Sequence, residues 1–182
     1  MKLLLQRGAI LVSTLVASAA MAAPPHEHGV ARLDVAVEPG RVTLMLEMPL
    51  DTLVGFERAP RNDAERAAAR TALARLADAA KLWRPDPAAG CGPAQVDIEG
   101  GPLEPGHQHG NDHDHAHGEE GHADADASYT LECAAAERAG FVDTGLLESF
   151  PRLRIVHVQV ATPKGQWKAM LSRPATQLKL VR

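Results

Sequence analysis

Aromatic residues are scarce in this chain, since Phe, Trp and Tyr together make up 3% of its 182 residues. Aliphatic side chains and alanine must therefore supply most of the hydrophobic core. Long apolar runs are also rare: one extends from Ala9 to Val16, and no second run of comparable character follows it. These deficits argue against a membrane-spanning protein and predict one globular domain with a modest core.

The N-terminal segment has the pattern of a secretory signal peptide. Lys2 and Arg7 precede the apolar run, and Ala20-Met21-Ala22 has the small-x-small form of a cleavage site. We expect residues 1–22 to be removed, which leaves residues 23–182 as one exported domain without stable membrane insertion. A membrane anchor is the alternative, but the run is too short to span a hydrocarbon core of roughly 30 Å.

Cysteine is the next scarce residue, because Cys91 and Cys133 are the only two. An exported chain meets an oxidising compartment, so we predict that they form a disulfide. The alternative is a pair of free thiols that serve as metal ligands. The predicted bond would enclose residues 102–127, which have an unusual composition.

Lys and Arg are absent from residues 102–127, although seven acidic residues lie there. The chain as a whole has a formal net charge of −4, so its acidity is concentrated in this segment. Such a distribution is typical of a cation-binding tract and argues against a nucleic-acid surface.

The same segment contains six of the nine histidines of the chain. Neutral imidazole is a common transition-metal ligand, and zinc takes about four nitrogen, sulfur or oxygen donors. H-x-H steps and i,i+4 pairs can place two imidazoles on one side of the chain, while nearby carboxylates offset the charge of an ion. The predicted metal ligands of this histidine tract are His107, His109, His113, His115, His117 and His122.

The histidines predict metal binding more strongly than metal identity. Flexible imidazoles follow the Irving–Williams order, so Cu(II) would bind more tightly than Zn(II), and Ni(II) also stays open. A hydrophilic insertion that only aids solubility is the competing interpretation, but Asp, Glu, Ser or Lys would serve equally well.

Three further histidines lie outside the tract. His26 and His28 form an H-x-H step near the mature N-terminus and are a second candidate metal cluster, with a frayed polar end as the alternative. His157 lies in an otherwise apolar strand, on the face opposite Val156 and Val158, and is interpreted as structural.

Apolar periodicity predicts the secondary structure. Alternating residues in 33–37 and 42–48 flank Pro39-Gly40 and indicate a β-hairpin. Asn62 and Glu65 resemble a capping box, so one long helix is expected from Asp63 to Trp83. The remaining predicted elements are strands near 96–98, 129–131, 155–161, 167–171 and 178–181, and a short helix near 146–150.

The predicted fold class follows from this order of elements. It is α+β, a single domain with a mainly antiparallel sheet and one long helix. The histidine tract, at about residues 102–127, has no apolar periodicity and is predicted to be a disordered insertion in a hairpin.

Four features outside the tract carry a resemblance to a known family. They are His26-Glu-His28-Gly29, Leu53-Val-Gly55-Phe56-Glu57-x-x-Pro60, Phe150-Pro-x-Leu153 and the two cysteines that flank the tract. Together they resemble the ZrgA-like family of periplasmic histidine-rich zinc-uptake proteins over nearly the whole mature chain. The resemblance implies equivalent positions for His26, His28, Cys91 and Cys133, but only histidine richness for the tract.

The resemblance also implies a role. The expected protein is periplasmic, captures Zn(II) and assists zinc uptake by passing ions to a zinc ABC importer or its solute-binding protein. Periplasmic copper or nickel buffering, or detoxification, is the alternative. An enzyme is not expected, because the sequence lacks an HExxH motif, a Gly-x-Ser-x-Gly elbow and a phosphate loop.

Overall fold

A computed structural model describes residues 27–104 and 124–181. Within these ranges the helices are α1 (Leu50–Val54), α2 (Asp63–Ala77), α3 (Ala79–Leu82) and α4 (Leu146–Ser149). The strands are β1 (Val30–Glu38), β2 (Arg41–Pro49), β3 (Trp83–Pro85), β4 (Gln95–Glu99), β5 (Asp124–Glu132), β6 (Phe141–Thr144), β7 (Ile155–Thr162), β8 (Gly165–Ser172) and β9 (Gln177–Lys179). The predicted signal peptide, residues 1–22, lies outside the described residues.

The main sheet has the strand order β4-β5-β2-β1-β7-β8. Strands β1 and β2 form the predicted hairpin, in register at Val35 and Leu44, and Gly40 takes the positive φ of +80° that their turn requires. Strand β7 pairs parallel to β1, whereas the other pairs in this sheet are antiparallel. The predicted α+β fold with a mainly antiparallel sheet is confirmed.

The hydrophobic core lies against one face of this sheet. Alternate residues of the central strands, such as Leu33, Leu44 and Val158, are almost fully buried, because successive side chains of a strand point to opposite faces. The core also includes Leu76 of α2 and Tyr129 of β5. The Tyr129 hydroxyl donates a 2.8 Å hydrogen bond to the Leu76 carbonyl, which ties the helix to the sheet.

The long helix is shorter than expected. The predicted N-cap is confirmed, because the Asn62 side chain accepts from the backbone N–H of Glu65 at 2.9 Å. However, α2 ends at Ala77, and the predicted end at Trp83 is wrong. Asp78 leaves the helical conformation with ψ of 68°, and its side chain accepts from the Lys81 N–H, so it caps the separate helix α3.

A second sheet of three strands, β3-β6-β9, was only partly predicted. Strand β9 was expected near Leu178, but β3 and β6 have three and four residues and are too short to show apolar alternation. No helix within the described residues is both long and apolar enough to cross a bilayer.

Candidate metal centre

The histidine tract lies between two paired strands. Strands β4 and β5 are antiparallel, with Glu99 opposite Asp126, so the predicted hairpin is confirmed. Regular structure reaches inside both predicted ends of the loop, at about residues 102 and 127, because a 3₁₀ turn occupies Gly101–Leu103 and β5 begins at Asp124. Residues 105–123, and with them the six histidines of the tract, lie outside the described residues.

A disulfide joins the strands at the end of the hairpin opposite the tract. The Cys91–Cys133 bond is present, as predicted, and it excludes free thiols as metal ligands in this oxidised state. The Cys133 N–H donates to the Gly40 carbonyl and the Gly92 N–H donates to the Glu132 carbonyl, both at 2.8 Å. The β4–β5 hairpin that carries the tract is therefore fixed at its other end, both covalently and by hydrogen bonds.

The exposed face of the main sheet is acidic beside the tract. Asp126 lies between Glu99 and Glu47 in the strand register, and Arg32 offsets part of this charge through a 2.8 Å hydrogen bond to Glu47. Desolvation first, and then the charges of Glu47, Asp124 and Glu99, raise the pKa of Asp126. This face attracts cations in general, but no group of three or more metal-ligating side chains among the described residues converges to hold an ion.

His28 is the one predicted metal ligand within the described residues. Its Nδ1 lies 3.2 Å from the Asp51 carboxylate, and its Nε2 lies 3.2 Å from the Glu57 carboxylate. The imidazole is about two-thirds exposed, with 66% of its side-chain surface accessible. Its companion His26 lies outside the described residues.

The backbone around His28 is held from two sides. The Gly29 N–H donates a buried 2.7 Å hydrogen bond to the Thr52 hydroxyl, and the Arg154 guanidinium donates to the His28 carbonyl at 2.6 Å. Because α1 also carries Asp51, the same short helix positions both the backbone and the ring of His28.

Two glycines permit the close approach of arginines to this place. Gly29 has φ of +80°, and a β-carbon there would collide with the Arg154 side chain. Gly55 has φ of +92°, and a β-carbon there would lie 2.6 Å from Arg152 Nη2. Both positive φ values favour glycine, and a β-carbon at either position would require the neighbouring arginine side chain to move. The three sequence segments that contain His28, Gly55 and Phe150 therefore meet at one end of the molecule.

Comparison with known proteins identifies a family for the chain. The model of a family described as "ZrgA family zinc uptake protein" matches residues 25–180. The chain belongs to the ZrgA family. A comparison with curated proteins gives no match. The ZrgA match includes the His28 region, both cysteines and the whole histidine tract, and it associates the protein with zinc uptake.

Sequence reasoning missed several parts of the His28 region. Glu57 belongs to the Gly-Phe-Glu-x-x-Pro segment, yet nothing in that segment indicated a contact with His28. Asp51 and Arg154 carried no signal at all, because their contacts with His28 depend on the fold. His157 lies on the exposed sheet face, opposite the buried Val156 and Val158, where the strand pattern placed it.

Proposed function

We propose that this protein captures Zn(II) in the periplasm with its histidine tract and assists zinc uptake. The observation that carries the proposal is the ZrgA family match across a chain that holds six histidines and several carboxylates in one segment. Export through residues 1–22 brings the domain 23–182 to its ions. The protein acts as a binding protein and not as an enzyme.

The fold supports an exchangeable mode of binding. The buried side chains of the domain form a hydrophobic core against one face of the sheet, and in sequence the six histidines lie between Glu99 at the end of β4 and Asp124 at the start of β5. The disulfide holds the opposite end of this hairpin, so ion binding need not be coupled to unfolding. The acidic sheet face raises the local concentration of cations beside the tract.

The receiving partner in this proposal is a zinc ABC importer or its solute-binding protein. Imidazoles and carboxylates of the tract can pass zinc to the partner, because donors of similar type on the partner can replace them. Mixing the zinc-loaded protein with an apo solute-binding protein, and following zinc in each after separation, tests the transfer. Zinc that stays with the first protein would contradict the hand-over but not the capture.

Calorimetric titration tests the capture step. The variant in which all six tract histidines become alanine should lose most of the zinc bound by the mature chain, because its imidazole donors are gone. His157→Ala is the matched control, since it removes one exposed histidine far from the tract in sequence. Unchanged zinc binding in the six-histidine variant would refute the assignment.

Metal identity is tested in the native compartment. Zinc in the purified protein, with expression that rises on zinc starvation, is the expected result. Copper or nickel in the protein, with induction by copper or nickel excess, would instead establish the buffering alternative, which the same imidazoles could serve.

A further inference from the structure

The His28 region lies at the same end of the main sheet as Asp124, the first described residue after the histidines of the tract. Strand β5 begins at Asp124, opposite Pro49 at the end of β2. On the other side of β2, strand β1 begins at Val30, two residues after His28. Neighbouring strands are about 4.8 Å apart, so the start of β5 and the start of β1 are separated by roughly 10 Å.

We propose that His28 and Glu57 form a second, fixed half-site for a zinc ion, with Asp51 as a positioning residue. The inference rests on the proposed function, because it takes zinc as the cargo. It adds that the folded domain itself contributes donors. The tract therefore has a neighbouring acceptor on the same molecule.

The distances fit this assignment. The His28 Nε2 and the Glu57 Oε1 are 3.2 Å apart. Two donors bound about 2.0–2.1 Å from one tetrahedral zinc ion are separated by roughly 3.3 Å. The ion can therefore bind between them with little movement of either side chain.

Asp51 completes the familiar arrangement behind a metal-bound imidazole. Its Oδ2 lies 3.2 Å from the His28 Nδ1, on the side of the ring away from Glu57. A carboxylate that accepts the Nδ1–H fixes the tautomer in which the Nε2 lone pair is free for a metal. The Nε2 of His28 faces the Glu57 carboxylate, which is close enough to share an ion with it.

The backbone at His28 is held in place, and the half-site is open to solvent. Hydrogen bonds from Gly29 to Thr52 and from Arg154 to His28 fix the backbone, and such support keeps ligands near their binding geometry. The side chains of His28 and Glu57 are 66% and 45% exposed, so an ion can reach them. Zinc takes about four donors, and water or further histidines complete the shell because no third described side chain converges there.

Zinc titration of the full mature chain tests the half-site. The variant with six alanines in the tract should retain about one zinc ion per chain, since His28 and Glu57 are intact. Adding either His28→Ala or Glu57→Gln should remove that ion. Adding Asp51→Asn should weaken its binding about 10- to 100-fold, as for other groups behind a metal ligand. The control is His157→Ala, which should change nothing.

The outcomes separate this inference from the proposed function. If the six-alanine variant binds no zinc, the tract function stands and the half-site is refuted. If it binds as much zinc as the wild type, the proposed function fails. If Glu57→Gln leaves the residual ion in place, the contacts of His28 with Asp51 and Glu57 only fasten the N-terminus, and the inference is overturned.

A second measurement avoids dependence on variants. Nitrogen-15 chemical shifts of the His28 ring in the wild-type chain report each nitrogen separately. Zinc should shift the Nε2 resonance strongly while Nδ1 stays protonated beside Asp51. No change at Nε2 in excess zinc would refute the half-site, whatever the behaviour of the variants.

Discussion

Replacing both Cys91 and Cys133 with alanine should destabilise the protein without changing the amount of zinc that it binds. The disulfide closes a ring between residues 42 positions apart. In the chain-entropy model, a ring of this size restricts the unfolded chain by roughly 4 kcal/mol at 25 °C. A typical domain has a total stability of about 5–15 kcal/mol, so this cross-link accounts for a large share.

Urea unfolding of the metal-free protein measures the first part of this prediction. For a slope of about 2 kcal/mol per molar urea, a loss of roughly 4 kcal/mol moves the unfolding midpoint down by about 2 M. Native strain in the bond would reduce the loss, so this figure is an upper value. Reduction of the wild-type protein before unfolding is the control and should reproduce the effect of the double variant.

Zinc titration of the same variant measures the second part. Oxidised sulfur atoms are not metal ligands, so the stoichiometry should stay at the wild-type value. A fall in stoichiometry would show that the cysteines donate to zinc. A stability loss below about 1 kcal/mol would refute the argument that the ring restrains the unfolded chain.

Four further predictions follow from individual side chains and from the ligands of the tract. A hydrogen bond from Arg58 lowers the pKa of Glu65 to about 2. The ionised carboxylate therefore stabilises the folded protein at pH values above about 4.3, the pKa of Glu in the unfolded chain, and this stability is lost as the pH falls toward 2. Glu65→Gln should reduce the melting temperature at pH 7 and have little effect near pH 2. Asp126 behaves oppositely, because its raised pKa removes stability as the pH rises through it: Asp126→Asn should raise the melting temperature at pH 7 and leave it unchanged near pH 2. Gly55→Ala should cost about 1 kcal/mol or more in urea unfolding, whereas Gly92→Ala, whose β-carbon would make only an ordinary 3.7 Å contact, should be nearly neutral. Protons compete with metal for imidazole nitrogen, so acidification below about pH 6.5 should release zinc into a fluorescent indicator, and retention of zinc at pH 5 would contradict histidine ligation.

The larger elements of the fold were predictable because their patterns are local. Alternation in β1 and β2 depends only on which side chains face the core, and the Asn62 cap is read from four successive residues. The break at Asp78 was not predictable, since the alanine-rich sequence around it favours helix on both sides. Strand β3 pairs with β6 only through the tertiary fold, and three residues carry no periodicity.

The histidine tract and the His28 region also differ in how far the sequence predicts them. The composition of a histidine tract is enough to predict metal binding, because the binding expected of it requires no particular fold. The His28 region depends on contacts across long separations, such as that between Gly29 and Thr52, and no sequence pattern indicates them. The metal-binding roles of His26 and of the histidines in residues 105–123 stay predictions, because these residues lie outside the part of the chain that the structure describes.

The tract is attached to the domain at Glu104 and Asp124, and this attachment sets a lower limit on the effective concentration of its imidazoles. A chain of this length, held at both ends of one hairpin, can extend no farther than about 35 Å from its anchors. Each imidazole is thus confined to a volume that corresponds to an effective concentration on the order of 10 mM near the sheet end. If the tract binds zinc as proposed, an ion that leaves one histidine should meet another donor on the same molecule before it meets a second molecule. Lengthening the tract would add donors but lower the effective concentration of each one.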